Sequence, residues 1–354
     1  MEPNCDIVIG LVYGDEGKGK ITNYLSHQAS LTPNANENLC IRYNGGPNAG
    51  HTIYINGQKL VTHQVPTGVL YGMSGLIGDN CYVDLYKLNK ELLELEELTQ
   101  DYTIRQRLFI SGNANLILQK HLLNDSKETK IGTTRSGIGP CAIDKYGRTG
   151  QRLNNNIEHL SNIIPISNIV DSYLIIQEKV QKHKYILVEG AQGFGLDINH
   201  GNYPFVTSSH CCATDCLNIG IPMKYIRNIY GVCKAYDTYV GAKKFQDTED
   251  STLRELQIQG EEFGATTGRE RQCNYLNLNF LIKSININNC SQVIINKCDI
   301  LQNVGTNAYK FYYHDDLISF NDFNIMINSI TNILVSNTTV SRSNIKFSFS
   351  KTDI

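Results

Sequence analysis

A continuous apolar run over Asp6–Tyr13 leads straight into Gly14-Asp15-Glu16-Gly17-Lys18-Gly19-Lys20, and a helical stretch near Ile21–Leu25 follows. Strand, glycine-rich turn and helix in that order leave the chain few choices. A strand that is apolar on both sides must be covered on both faces, and a helix that returns over it feeds a parallel neighbour. The rest of the chain repeats the alternation. Strands are expected at Leu39–Tyr43, Tyr185–Val188, within Tyr225–Tyr236, at Val293–Ile295 and at Ile345–Phe349. Helices are expected at Leu88–Leu98, Asn168–Lys182, Asn274–Ile287 and Asn321–Leu334, and Asn56-Gly57 marks a hairpin turn. The fold class is therefore α/β, a mostly parallel central sheet with helices on both faces. With no repeat and no linker, residues 1–354 read as one domain; Gln151–Ser167 is the nearest thing to a variable surface connection.

Composition narrows the function. A hydrophobic share of 41% against 19% charged excludes a disordered chain, and a net charge of -2 argues against a general nucleic-acid or membrane-surface binder. The opening MEPNCDIVIGLVYGDEGKGK has no positive n-region or long apolar core, so no secretory signal is expected, nor does any apolar run suggest a membrane span. The 11 cysteines are scattered without a CxxC pair, which reads as reduced thiols in the cytoplasm. His210, Cys211, Cys212 and Cys216 match no common zinc spacing.

The chemistry sits in glycine-rich loops that follow predicted strands, where α/β sheets place their ligands. Gly14–Lys20 fits GxxxxGK, a loop whose amides close around phosphate oxygens. A Walker loop needs Ser or Thr next to hold Mg²⁺, but Ile21 stands there, so the metal falls to Asp15. NGGPNAGHT (Asn44–Thr52) packs three glycines around Asn48 and ends at His51, which can donate to developing charge. GTTRSGIGP (Gly132–Pro140), with Lys145 and Arg148 after it, suits a second phosphate. The stretch Glu189–His210 brings the Gln192 amide and the hydroxyls of Thr207, Ser208 and Ser209. Thr266, Thr267, Arg269 and Arg271 share one glycine loop and make a carboxylate clamp. Asn296-Lys297-Cys298-Asp299 has the NKxD pattern, whose Asp can accept from guanine N1 and N2. Each loop alone is also compatible with a structural turn or a solvated basic loop.

Together, in this order from about Gly10 to Asp299, these motifs resemble those of adenylosuccinate synthetases, through GDEGKGK, NAGHT, GTT…GIGP…DK, EGAQG…HGNYPFVTSS, KAYDTYVGA, EFGATTGR and NKCD. The resemblance implies a P-loop-NTPase-like synthetase fold. It also implies ligation of IMP and L-aspartate with GTP and Mg²⁺: the purine 6-oxygen attacks the γ-phosphate, and the aspartate amine then displaces phosphate. By resemblance Asp15 is the base and, with the Gly50 carbonyl, a metal ligand, and His51 acts as acid. Gly14, Glu16, Gly17, Lys18, Gly19 and Lys20 hold GTP phosphates, while Lys297 and Asp299 read guanine. Asn48, Thr134, Gln192 and Thr207 hold the monophosphate, joined by Arg148 across a homodimer interface. Thr266, Thr267 and Arg271 bind aspartate, with Arg269 between aspartate and ribose.

The chain departs from the family at Tyr239, where Arg is usual, at Lys244–Thr248, which reads KFQDT for PFPTE, and at Glu270 and Gln272, where arginines are thinned. With a tail reading SFSKTDI, the second guanine contact falls to Ser348 or Ser350. The short form is similar to archaeal and viral members. Viral members can use dGMP, with a small hydroxyl in place of the loop carboxylate; Asp15 is retained here, so IMP ranks first and dGMP second. A regulatory GTPase would share the phosphate loop and NKxD, and could claim Asp144–Gly147, yet it needs Ser or Thr after Lys20 and has no use for ATTGRER. A non-catalytic nucleotide-binding protein would have no need of Asp15, His51 and the arginine loop together. Phosphate release that depends on both IMP and aspartate separates the three readings.

Overall fold

The computed structural model describes residues 2–55, 57–264 and 268–352. Its strands are β1 (Cys5–Gly10), β2 (Leu39–Gly45), β3 (His51–Ile55), β4 (Gln58–Thr62), β5 (Ser74–Val83), β6 (Leu108–Ser111), β7 (Asn115–Leu116) and β8 (Ile169–Val170). They continue with β9 (Ile186–Glu189), β10 (Ile226–Lys234), β11 (Tyr236–Tyr239), β12 (Gln272–Asn277), β13 (Gln292–Asn296), β14 (Lys310–Tyr313), β15 (Asp316–Ser319) and β16 (Ile345–Phe347). The main sheet runs β16-β13-β10-β1-β9-β2-β5-β6-β8, with β7 beside β5, and every pairing in it is parallel.

Alternation along β1 explains why the sheet is covered on both sides. Cys5, Ile7 and Ile9 enter a large core built with residues of the helices Ser172–Gln181, Leu278–Asn288 and Phe323–Asn337. Val8 faces the other way, onto Ile21, Leu25 and Ala29 of the helix Lys18–Ser30. All six residues of β1 are buried, as a central parallel strand requires. A third cluster packs the helix Leu85–Thr99 against β5 and β6. Among the described residues no helix is long and apolar enough to cross a membrane.

The apolar run of residues 6–13 ends as a strand at Gly10, and residues 11–17 form the loop. The expected helix at Asn274–Ile287 divides instead: Gln272–Asn277 is β12, and Asn277 caps a helix that begins at Leu278, its side chain accepting from Phe280 N–H at 3.0 Å. That cap is the reason the element changes type there, because an Asn in extended backbone satisfies a helix's first amides. β12 belongs to a small second sheet, β11-β12-β14-β15, in which β11–β12 and β14–β15 run antiparallel. The expected hairpin is present as β3 paired with β4, although Asn56 itself lies outside the described residues.

Candidate functional site

The loop after β1 turns through left-handed backbone at Gly14, Asp15 and Gly17 before the helix begins at Lys18. At Gly17 a Cβ would stand 2.8 Å from Asn296 Nδ2, so the position needs glycine for space as well as for its φ of 95°. Glu16, expected among the nucleotide contacts, is turned inward. Its Oε1 accepts from the Gly14 amide at 2.8 Å and its Oε2 from Lys18 Nζ at 2.6 Å. Lys18 Nζ also donates to the Gln192 carbonyl. Lys20 Nζ reaches Asn296 Oδ1 at 3.2 Å, Ser348 Oγ and the Ser350 carbonyl at 2.9 Å, and Asn296 Nδ2 donates to the Glu16 carbonyl at 2.8 Å. The loop is thus braced from below by β9's following turn and by the segment after β16.

A cavity of about 450 Å³ opens above this loop. Its walls include Gly14, Asp15, Lys18, Asn48, Gly50 and His51 together with Thr134, Gln192, Thr207 and Arg269. Five stretches far apart in sequence therefore meet where the sheet's strand ends point, as the glycine-rich motifs suggested.

Asp15 is 30% exposed, and Arg271 Nε holds its Oδ2 at 2.9 Å. The other arm of Arg271 donates to Glu262 Oε2 at 2.5 Å. Glu262 is fully buried and also accepts from Lys234 Nζ at 2.8 Å and Tyr236 Oη at 2.6 Å. Burial pushes Glu262 up, but Lys234, Arg271 and Lys297 outweigh it and leave its pKa at about 2. A second buried ionic group lies under His51. Arg42 Nη2 stands 3.2 Å from Glu189 Oε1, and Glu189 Oε2 is 3.2 Å from His51 Nδ1. His51 Nε2 faces the Gly190 carbonyl at 3.1 Å, so that nitrogen carries the proton when it bonds there. Burial, then Arg42, lowers the His51 pKa to about 4 against the pull of Glu189. The imidazole is neutral at physiological pH and acts as a hydrogen-bond donor rather than a fixed cation.

Two further lining groups, Asn48 Oδ1 and Gln192 Oε1, are buried and accept no hydrogen bond from any described residue. Arg269 Nη1 donates to the Gly132 carbonyl at 2.8 Å. The loop that offers Thr134 is shaped by two carboxylates: Glu128 accepts from the amides of residues 130–132, and Asp125 Oδ2 from Gly137 N–H at 2.7 Å.

Some expected residues lie elsewhere. Arg148 is exposed at the end of the helix Ile138–Gly147 and does not line the cavity. Lys297 adopts left-handed backbone before the helix Cys298–Val304 and donates to the Gly260 carbonyl at 2.7 Å, while Asp299 stands half-buried in that helix's first turn. Thr266 and Thr267 lie outside the described residues. Asp197, beside His200, His210 and Cys212, spends both oxygens on the amides of Asn199, His200 and Cys211, which makes it a loop brace.

Arg42, Glu189 and Glu262 received no role from the sequence; for Arg42 and Glu189 the signal was a charge inside an apolar strand or directly at its end, whereas Glu262 lies in a loop after the helix Ser251–Gln259. Tyr13, Phe205 and Tyr239 were also passed over as cavity walls. Tyr239, one of the expected departures from the family, is buried and tilts against Phe245 with ring centres 5.5 Å apart.

The family model described as adenylosuccinate synthetase matches residues 7–164 and 155–335. Adenylosuccinate synthetase of Chlorobaculum parvum is 36% identical over 345 residues, covering 84% of this chain and 77% of that protein. Among solved structures, fully ligated adenylosuccinate synthetase from Plasmodium falciparum superposes with a TM-score of 0.81 at 26% identity, covering 97% of this chain and 99% of that one. Succinoaminodeoxyadenylate synthetase of cyanophage S-2L, bound to dGMP and to dATP as an energy donor, gives a TM-score of 0.74 at 21% identity over 99% and 94% of the two chains, a likeness of fold.

Proposed function

Because the chain belongs to the adenylosuccinate synthetase family, and is a GTP-using ligase that forms a C–N bond, we propose that its large cavity joins L-aspartate to the purine C6 of IMP. The products are adenylosuccinate, GDP and phosphate. The observation that carries the reading is the meeting of Asp15, His51, Asn48, Thr134, Gln192, Thr207 and Arg269 on one cavity wall system.

The 6-oxo group of a purine leaves poorly and must first become a phosphate ester, which calls for a base at N1 and help at the transferring phosphoryl group. Asp15 is placed for the first task. It trades its hold on Arg271 for the N1 proton, and Arg271 becomes available to the incoming aspartate carboxylate. His51, neutral and accepting from Arg42 at Nδ1, exchanges its Nε2–H bond to the Gly190 carbonyl for one to the phosphoryl oxygens. Lys18 and the loop amides neutralise phosphate charge. Asn48 Oδ1 and Gln192 Oε1 are idle acceptors suited to donors on the base and ribose.

Asp15 and the Gly50 carbonyl both line the cavity and supply hard oxygens, a donor set that fits Mg²⁺ held mainly by substrate phosphates. The ion, when bound, neutralises charge on the transferring phosphoryl group. Lys297 and Asp299 read guanine at the far end, with residues 348–350 beside them. Residues 1–354 act as one functional unit in the cytoplasm. Arg148, exposed in the single chain, completes the site of a second copy in a homodimer.

The decisive assay is phosphate release with each substrate omitted in turn. Release that requires GTP, IMP and aspartate together supports the reading; release without aspartate, or with dGMP preferred tenfold over IMP, overturns it. Mixing Arg148→Ala chains with Asp15→Asn chains should restore activity, since one site of each mixed dimer is whole. No recovery in verified heterodimers places the site within one chain.

A further inference from the structure

Tyr13 lines a second cavity as well as the large one. This smaller space measures about 240 Å³, and its walls include the rings of Tyr13, Phe245, Tyr275 and Tyr312 together with Asp237 and Asp315. No lysine, arginine or histidine lines it among the described residues.

Asp237 is the unusual member. It lies in β11 opposite Asn274 of β12 and is 2% exposed. Its Oδ2 accepts from the Asn277 amide at 3.2 Å, but its Oδ1 is buried and accepts from no described residue. A buried carboxylate oxygen without a donor is costly, and such groups mark places where a ligand supplies the missing hydrogen bond. Rings beside it already draw cations: Lys310 Nζ stands 5.2 Å from the centre of Tyr275, and Lys243 Nζ 5.9 Å from that of Phe245. Aromatic rings carry negative potential on their faces, so a cavity lined by four rings and two carboxylates complements positive charge attached to apolar surface. Two carboxylates repel an anion. A divalent metal would need six or more oxygens, which these rings do not provide.

We propose that this cavity binds a small alkylammonium ion, its N–H groups donating to Asp237 and its carbon skeleton lying against the tyrosine and phenylalanine rings. The inference does not depend on the reaction assigned to the neighbouring cavity. Because Tyr13 forms a wall of both, an occupant here would be felt at the edge of the larger site.

The protonation state of Asp237 gives the test an internal check. Burial raises its pKa to about 7; the Asn277 amide opposes, Glu16 adds to the rise and Lys234 offsets it. Tyr13, Tyr275, Tyr312 and Asp315 are the other titratable groups on the cavity side. Below pH 7 the carboxyl holds a proton that an arriving cation must expel. Calorimetric titration of the whole chain with butane-1,4-diamine should therefore show saturable binding that is about tenfold weaker at pH 6 than at pH 8, with proton release at pH 6 visible as a dependence on buffer ionisation heat. Asp237→Asn keeps the shape and should lose at least tenfold in affinity and all of the proton release. Tyr312→Leu, which leaves the carboxylate in place, should weaken binding several-fold and serves if Asp237→Asn does not fold. Absence of saturable heat up to ~10 mM at pH 8, or equal affinity in Asp237→Asn, overturns the proposal. So does displacement of the diamine by potassium chloride at lower concentration than the diamine itself, which would make the site one for an inorganic ion.

Discussion

Around the phosphate loop the charged groups already hold protein partners: Lys18 on Glu16, Lys20 on Asn296 and the segment 348–350, Asp15 on Arg271. Elsewhere on the cavity wall, Asn48 and Gln192 each bury an acceptor that no described residue reaches. A ligand meeting these idle acceptors adds bonds, whereas at the charged groups it must exchange them. The difference teaches where selectivity and order of binding reside. An added bond stabilises from the start, but an exchanged one yields only the surplus over the bond it replaces. Nucleotide monophosphate should therefore raise the melting temperature when given alone, and aspartate alone should hardly do so.

The sharpest way to break this contrast is Asp15→Asn. An amide pairs poorly with Arg271 and cannot take the N1 proton, so turnover should fall ~10²–10⁴-fold while the fold persists. Retention of a tenth of the wild-type rate removes Asp15 from the chemistry.

His51 tests the exchange side through pH. Its folded pKa of about 4 lies below the ordinary 6.5. The unfolded chain thus binds the proton first as pH falls, and stability is lost between pH 6.5 and 4, by up to ~3 kcal/mol. In urea melts at pH 7 and pH 4.5, His51→Asn should lose less than wild type on acidification. A difference between the two proteins that stays constant with pH would show that His51 binds its proton equally well in the folded and unfolded chain.

Arg271→Ala should raise the aspartate KM roughly 10- to 100-fold, the worth of a charge-assisted contact, with the IMP KM far less affected. Equal changes in both would erase the division of labour. The smallest effect is expected on the filling side: Asn48→Ala removes one neutral acceptor and should raise the IMP KM only ~2- to 10-fold with kcat nearly intact. A larger loss in kcat than in KM would move Asn48 to the exchanging group.

The main sheet and the cavity were largely legible because each glycine-rich motif follows a strand, and local spacing carries that information. What escaped was non-local. Arg42 and Glu189 are 147 positions apart in neighbouring strands β2 and β9, and nothing in either apolar run says that the two charges meet. β5 was missed because Gly75 and Gly78 interrupt its apolar pattern; at Gly75 a Cβ would press on Val69 at 2.2 Å, so glycine there serves packing. The part of β12 from Asn274 on passed for a helix because its polar and apolar residues fit either period until Asn277 ends it.

β1 comes early in the chain, yet both of its neighbours come late: it pairs with β9, residues 186–189, and with β10, residues 226–234. During synthesis a fully buried strand, with the phosphate loop attached, must wait for about 175 further residues before either edge is covered. Parallel pairings at such separation form slowly, and an uncovered strand invites aggregation. Nascent chains halted before residue 186 should thus need chaperone shelter, and the phosphate loop takes its shape only after the sheet has closed on both sides of β1.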